Sequence, residues 1–205
     1  MKRKGSLIVL SGFSGAGKGT IVKELIKQYG YQVSISATTR SPREGEVHGK
    51  DYYFKSKEEF EVMIEENGFI EWAKYVGNYY GTPRAFVEEA LNQGKNVILE
   101  IEVQGAMNIK EQYPDAILMF IAPPSAEILR ERLIGRGTED METIEKRLNR
   151  AKEEVNDMEQ YDYLVINDKL DECVEEIHQI VLKESCRMKG QTDFIHTMKQ
   201  ELQNL

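Results

Sequence analysis

One stretch constrains this chain more than any other: Leu7-Ile8-Val9-Leu10-Ser11-Gly12-Phe13-Ser14-Gly15-Ala16-Gly17-Lys18-Gly19-Thr20. Its apolar start reads as a buried strand, its glycine-rich middle as a tight turn, and the residues on to about Gln28 as a helix. Gly12 and Gly17-Lys18 have the spacing of a Walker A loop, in the strand–loop–helix context that the motif requires. Glycines let the backbone curl so that successive N–H groups point at a phosphate. The helix N-terminus adds positive dipole, and Lys18 adds a full charge beside the terminal phosphates. The competing reading, a glycine-rich turn without a ligand, leaves the agreement of spacing and context to chance.

The rest of the chain repeats this alternation of strand and helix. Tyr31–Ser36, Asn96–Ile101, Ala116–Ala122 and Tyr163–Asn167 have the length and apolar content of strands, each bounded by turns or helical patterns. Such alternation predicts a parallel sheet with helices on both faces. Ser56 with Glu59 forms a capping box, and Ser125 opens a helix. Thr82-Pro83 reads as a cap followed by proline at the first helical position, with Gly94 as the stop. Asp171 is placed to cap a last long helix that carries Val174, Ile177 and Val181 on one face. Two regions break the pattern. Residues 37–93 begin with short strands and a Gly77-Asn78 hairpin turn and read as a small inserted α/β subdomain. Residues 135–154 open on Gly135-Arg136-Gly137-Thr138 and continue as an Arg-rich helix with few core-facing residues, as suits a lid. A single domain of 205 residues is expected, with core segments 6–36, 94–134 and 155–190 and a tail at 191–205 that turns helical from Thr192.

Charge and cysteine content narrow the setting. With 27 Lys and Arg against 35 Asp and Glu, the net charge of −8 argues against a role as a general nucleic-acid coat. The longest apolar run, Ile117–Ala122, is far too short to span a membrane. Cys173 and Cys186 form neither a disulfide framework nor a metal-ligand spacing, which points to the reducing cytoplasm. Both are expected to be partly buried, and His48, His178 and His196 to be surface residues. No apolar stripe declares an interface, so the oligomeric state stays open.

The segment Thr38-Thr39-Arg40-Ser41-Pro42-Arg43-Glu44-Gly45-Glu46, running on to Tyr52, holds two arginines in a proline-bent loop with a tyrosine downstream. Arginine's planar fork suits a phosphate clamp. Equally, Glu44, Glu46 and Asp51 could pair with those arginines in a solvated loop. Here the sequence resembles the guanylate kinase family. The loop is similar to that family's GMP-binding signature. Further matches are Phe69-Ile70-Glu71-Trp72-Ala73, Gly77-Asn78-Tyr79-Tyr80-Gly81-Thr82, Glu100-Ile101-Glu102 with Gln104-Gly105, Ala122-Pro123-Pro124-Ser125, Gly135-Arg136-Gly137-Thr138-Glu139 and Asn167-Asp168. The resemblance runs from about residue 6 to residue 185.

The resemblance implies a P-loop NTPase fold and ATP-dependent phosphorylation of GMP or dGMP, with Mg2+ as cofactor. Gly12 through Thr20 would bind ATP, with Asn167 and Asp168 near its adenine. Arg40, Arg43, Tyr52 and Tyr80 would hold the GMP phosphate, with Glu46 in the same set, and Ser36, Glu71 and Thr82 would read the guanine. Glu100 and Glu102 stand where the family has acidic residues, open to contact with magnesium, its waters, the nucleoside or a basic neighbour. Lys18, Arg136 and Arg147 would stabilise the transferring phosphoryl group. Two departures are visible. Gly19 occupies the position at which the strict loop has a magnesium-binding hydroxyl, and Thr20 follows it, the Lys-Gly-Thr variant of nucleoside monophosphate kinases. No direct metal ligand is assigned, and Thr20 or Glu100 would act through water. Phe13 stands where many members have proline, a change expected to be harmless.

The chemistry agrees with these assignments. Guanine presents N1–H and an amino group side by side, and one carboxylate accepts both, whereas adenine would leave a buried carboxylate unpaired. Alone, Glu71 beside Trp72 could as well be a surface residue, and the arginines of 135–154 could pair with Glu139 or Glu145. Two other functions compete. A non-catalytic guanylate-kinase-like module that binds phosphopeptides typically has a degraded phosphate loop, but Gly12, Gly17 and Lys18 are present here. A P-loop kinase for AMP, a pyrimidine nucleotide or ribose bisphosphate would not need the Arg40–Tyr52 stretch together with Glu71.

Overall fold

In the computed structural model, residues 4–75, 77–135 and 140–205 are described. The first strand, β1 (Leu7–Gly12), lies at the centre of a five-stranded sheet. Its neighbours are β7 (Val97–Glu100) and β8 (Ile117–Ala122), with β2 (Gln32–Val33) and β9 (Tyr163–Ile166) at the edges. All pairings in this sheet are parallel. A parallel sheet needs cover on both faces, which explains why β1, β7 and β8 are continuous apolar runs.

Alternate residues of β1 serve opposite layers. Ile8 and Leu10 pack with α1 (Lys18–Tyr29) and α7 (Leu170–Glu184), through Ile21, Leu25, Ile177 and Val181. Leu7 and Val9 pack on the other face with α3 (Arg84–Asn92) and α4 (Val103–Gln112), through Val87, Leu91, Ala106 and Ile109. The period of two along the strand thus becomes two apolar layers.

A second sheet of four strands has the order β4-β3-β6-β5. It comprises β3 (Ala37–Thr38), β4 (Tyr53–Phe54), β5 (Phe69–Tyr75) and β6 (Asn78–Pro83). The last two form a hairpin whose turn holds Gly77 at φ 80°. Helix α2 (Lys57–Glu65) covers this sheet with Phe60, which stacks on Phe69 and Tyr79 at centroid distances of 4.3 and 5.3 Å. The Ser56–Glu59 capping box forms as expected.

The remaining helices are α5 (Ala126–Gly135), α6 (Met141–Glu154) and α8 (Thr192–Gln203). Among the described residues, no helix is long and apolar enough to cross a membrane.

Several expectations change on folding. The strand expected over Tyr31–Ser36 is two residues long, because the chain leaves the large sheet at Ser34 and enters the small one at Ala37. Thr82 does not cap α3: it pairs with Glu71 across the hairpin, and Pro83 becomes the cap position. Asp171 sits in the first turn of α7, with Lys169 at the cap. Cys173 is buried while Cys186 is exposed. His178 is half-buried and stacks on Tyr29 at 3.7 Å, its Nδ1 lying 3.1 Å from the Tyr31 hydroxyl.

Candidate active site

Parallel pairing brings the carboxyl ends of four strands to one edge. Leu10 lies beside Glu100, Gly12 beside Ile121, and Ala122 beside Ile166. After β7 the chain crosses β1 to reach β8, and ligands of open parallel sheets sit at such reversals. The phosphate loop, Glu100 and Asn167 therefore share one crevice because of topology.

The loop leaves β1 at Gly12, where φ is 141° and a Cβ would lie 2.1 Å from the Ile121 carbonyl oxygen. Only glycine fits there. Lys18 folds back over the loop, donating to the carbonyls of Gly12 and Phe13 at 2.7 and 3.2 Å. Asn167, 7% exposed, donates its side-chain amide to the Ala16 carbonyl at 2.7 Å. Its Nδ2 also lies where a Cβ on Gly17 would come within 2.5 Å. Asn167 thus braces the loop backbone from β9, a contact that reading toward adenine alone did not anticipate. Asp168 is exposed beside it, and Gly19 and Thr20 are exposed on the first turn of α1.

Glu100 faces that first turn: a Cβ on Gly19 would lie 3.9 Å from its Oε2. Its residue is open to solvent, yet the surrounding protein crowds the carboxyl enough to raise its pKa, while Lys18 and Lys23 pull the other way. Its charge also acts on Tyr52 in the arginine–tyrosine loop. Glu100 therefore lies between the two halves of the cleft. Glu102, at the cap position of α4, is turned to Arg150 of α6 at 2.7 Å. Arg150 also binds Glu154 at 2.8 Å.

Opposite the phosphate loop, the small sheet presents its own set. Arg40 binds Glu46 through both terminal nitrogens at 3.0 and 2.9 Å, and Glu46 also accepts the Arg43 backbone N–H at 2.7 Å. Arg40 thus does pair with Glu46, but the pair is largely buried, its side chains 16% and 20% exposed, and not a solvated one. The same guanidinium lies 5.4 Å from the Tyr52 ring centre, and Tyr80 meets Tyr52 edge-on at 6.2 Å. Arg40, Glu46, Tyr52 and Tyr80 are brought together, and Arg43 is exposed at the rim.

Glu71 is not a surface residue. It is 6% exposed, while its neighbour Trp72, on the other face of β5, is 42% exposed. Register places Glu71 directly opposite Thr82, whose hydroxyl donates to Oε1 at 2.8 Å. Burial pushes its pKa up to about 7, and the Thr82 bond opposes that rise. Gly105 of α4 makes room for the carboxylate, since a Cβ there would lie 2.8 Å from Oε2. A glycine inside a helix costs stability, and that oddity is the sequence signal for a close approach. Ser36 is half-buried just before β3.

Arg147 reaches across from α6 and hydrogen-bonds the Ser14 hydroxyl of the phosphate loop. Arg136 and Glu139 lie outside the described residues.

A hard cation held through water and nucleotide phosphates fits the oxygen donors present, the Glu100 carboxylate and the Thr20 hydroxyl. Among the described residues no cluster of three or more His, Cys, Asp or Glu side chains forms a complete protein cage.

Comparison with known proteins agrees with this arrangement. The family model described as guanylate kinase matches residues 4–184. The guanylate kinase of Caldanaerobacter subterraneus subsp. tengcongensis is 52% identical over 202 residues, covering 98% of each chain. That of Halalkalibacterium halodurans is 51% identical over 198 residues, covering 96% of this chain and 97% of its own. The crystal structure of guanylate kinase from Anaplasma phagocytophilum superposes with a TM-score of 0.75 at 34% identity, covering 91% of this chain and 89% of that one. Matched across almost its whole length by family model, sequence relatives and solved fold, this chain belongs to the guanylate kinase family.

Proposed function

We propose that the protein transfers the γ-phosphoryl group of ATP to GMP or dGMP, releasing ADP and the nucleoside diphosphate. The observation that carries this reading is the buried Glu71–Thr82 pair, set in the small sheet across the cleft from the phosphate loop. A carboxylate in an apolar site with one neutral partner has unused acceptor capacity. Guanine's N1–H and amino group supply the two missing donors, and adenine does not.

In this reading residues 37–93 form the acceptor subdomain and 135–154 the lid. Arg40, Arg43, Tyr52 and Tyr80 hold the GMP phosphate, with Glu46 orienting Arg40. Ser36 and Thr82 assist Glu71 at the base. Gly12–Thr20 bind the phosphates of ATP, and Asn167 keeps the loop in shape while Asp168 lies toward the nucleoside. Glu100 and Thr20 would hold magnesium, which would supply charge neutralisation on the ATP phosphates. Glu102 acts on the lid through Arg150 rather than on the nucleotide. Free thiols and a nucleotide substrate suit the cytoplasm.

The acceptor needs no general base, because a phosphate monoester with a second pKa of about 6 is mostly dianionic at neutral pH. A GMP phosphate oxygen forms the new bond to the γ-phosphorus, and the bond to the β,γ-bridging oxygen breaks, its electron pair leaving with ADP. The protein contributes alignment and charge. Lys18 and the loop amides hold the donor end, and Arg147 with Arg136 meets charge on the group in flight. Water held away from that group would otherwise consume ATP without transfer.

The test is ADP production from ATP and magnesium with GMP, AMP, UMP or CMP. Turnover with GMP, lost in Lys18→Ala, supports the reading. No turnover with any acceptor but retained phosphopeptide binding would instead establish a binding module. Turnover with another nucleotide would leave the fold assignment standing and overturn the choice of substrate.

A further inference from the structure

Phe13 lies in the phosphate loop, yet its side chain faces protein on two sides. Its ring meets Phe120 of β8 edge-on with centroids 4.9 Å apart, and it packs against the apolar layer under α1 and α7. The same ring packs against a separate cluster made by Leu129 and Leu133 of α5 and Ile144 of α6, joined by Leu148 and Ala151. Ile144, Leu148 and Ala151 recur at helical spacing, so one face of α6 joins the cluster against which Phe13 packs. Beside Phe13, Ser14 accepts the hydrogen bond of Arg147. Neighbouring loop residues therefore meet the α5–α6 layer, Phe13 by packing against its apolar cluster and Ser14 by a hydrogen bond to α6. Gly15 completes the seat, since a Cβ there would lie 3.0 Å from Leu133 Cδ2.

Ile144 is the one buried residue of α6 among the described residues. Its ion pair to the core, Arg150 with Glu102, has side chains 38% and 60% exposed. Exposed pairs of this kind contribute little. The apolar seat contributes to where α6 sits, and α6 carries Arg147.

We propose that Phe13 is a positioning residue for phosphoryl transfer: it seats α6 on the phosphate loop and so sets where Arg147 stands relative to the phosphates that the loop holds. The apolar seat and the Ser14–Arg147 bond together tie the position of α6 to the shape of the loop. This inference rests on the kinase reading above. A smaller side chain leaves Arg147 in place chemically but loosens its aim, which affects the chemical step more than GMP binding.

The experiment measures kcat and KM for both nucleotides, with thermal melts, for Phe13→Ala, Phe13→Leu and Leu148→Ala, each alone and with Arg147→Ala. Phe13→Ala is expected to lower kcat about tenfold with KM for GMP within about twofold, and Phe13→Leu to recover most of the loss. In the Arg147→Ala background, Phe13→Ala is expected to cost less than about a further twofold, because the group it aims is gone. A purely structural role would not give that non-additivity. Unchanged kcat in Phe13→Ala, or a full and independent loss on top of Arg147→Ala, overturns the proposal. If Phe13→Ala does not fold, Leu148→Ala thins the same apolar cluster from the helix side and is judged by the same criteria. Wild-type protein without GMP-dependent turnover sinks the kinase reading, and this inference with it. Active wild type with additive variants sinks only the inference.

Discussion

The phosphate loop and the arginine–tyrosine loop both gather positive groups at the cleft, by opposite means. From Gly12 to Thr20 the donors are chiefly backbone amides. The loop is pinned by the central sheet at Gly12, by Asn167 at Ala16, and by Phe13 against Phe120. From Thr38 to Tyr52 the groups are side chains, carried by the loop between two strands of two residues each. There Arg40 is held by Glu46 rather than by buried backbone. A site made of backbone is formed as soon as its sheet is formed. A site made of side chains loses rotamer freedom when a ligand binds, and can be selective about that ligand. Damage to the first should therefore appear in rate and stability, and damage to the second in affinity and nucleotide choice.

The strongest test of that contrast is Lys18→Ala. GMP-dependent ADP production should fall by at least about 100-fold, the scale of losing one transition-state donor, and the thermal midpoint should drop with the loss of the bonds to the Gly12 and Phe13 carbonyls. Turnover within a few-fold of wild type would show that the loop is not the donor site.

Next comes the guanine side. Glu71→Gln should lower kcat/KM for GMP by about 10- to 100-fold with KM for ATP unchanged, since it removes hydrogen bonds to a charged acceptor. Gly105→Ala should act in the same direction by about tenfold, because its Cβ would intrude on the carboxylate. Equal effects on both nucleotides would erase the distinction between the two loops.

Glu71 also makes the site sensitive to pH. Its pKa is raised from the ordinary 4.5 to about 7 by burial, so the folded protein keeps this proton to higher pH than the unfolded chain does. Its contribution to stability is full below about 4.5 and is lost as pH rises through about 7. Guanine recognition needs the ionised form, so KM for GMP should fall as pH rises across that range. Glu71→Gln should flatten the part of the profile that does not come from the phosphate of GMP itself. A profile identical in the variant would locate the titration elsewhere.

Asn167→Ala tests the brace. Loss of a buried bond to the Ala16 carbonyl should cost about 1–3 kcal/mol in stability by chemical denaturation and raise KM for ATP more than KM for GMP. The smallest effect is expected from Glu46→Gln, which loosens a half-buried ion pair: about a two- to fivefold rise in KM for GMP, with little change in melting.

Much of this was legible before folding. The unit from β1 through the loop into α1 announces itself because strand period, glycine spacing and the lysine are all local. The short strands near residues 37–80 were visible as a break in the alternation. Other features were not. Glu71 beside Trp72 reads equally as surface or site, and only strand pairing turns one inward and the other outward. Thr82 looks like a helix cap until the hairpin draws it opposite Glu71. Phe13 looks like a tolerated substitution until it is found packed against the α5–α6 cluster.

The sequence alone determined the parallel core, the phosphate loop and the residue types available to the cleft, because these depend on neighbours within a turn or a strand. Tertiary structure decided which of those residues meet. Asn167 reaches Ala16 across 151 positions, and Arg147 reaches Ser14 across 133. Gly105 and Glu71 touch only because α4 packs against β5. Contacts of that separation are set by sheet order and helix packing, and burial then fixes the charge state of a residue such as Glu71, which nothing adjacent to it in the chain could set.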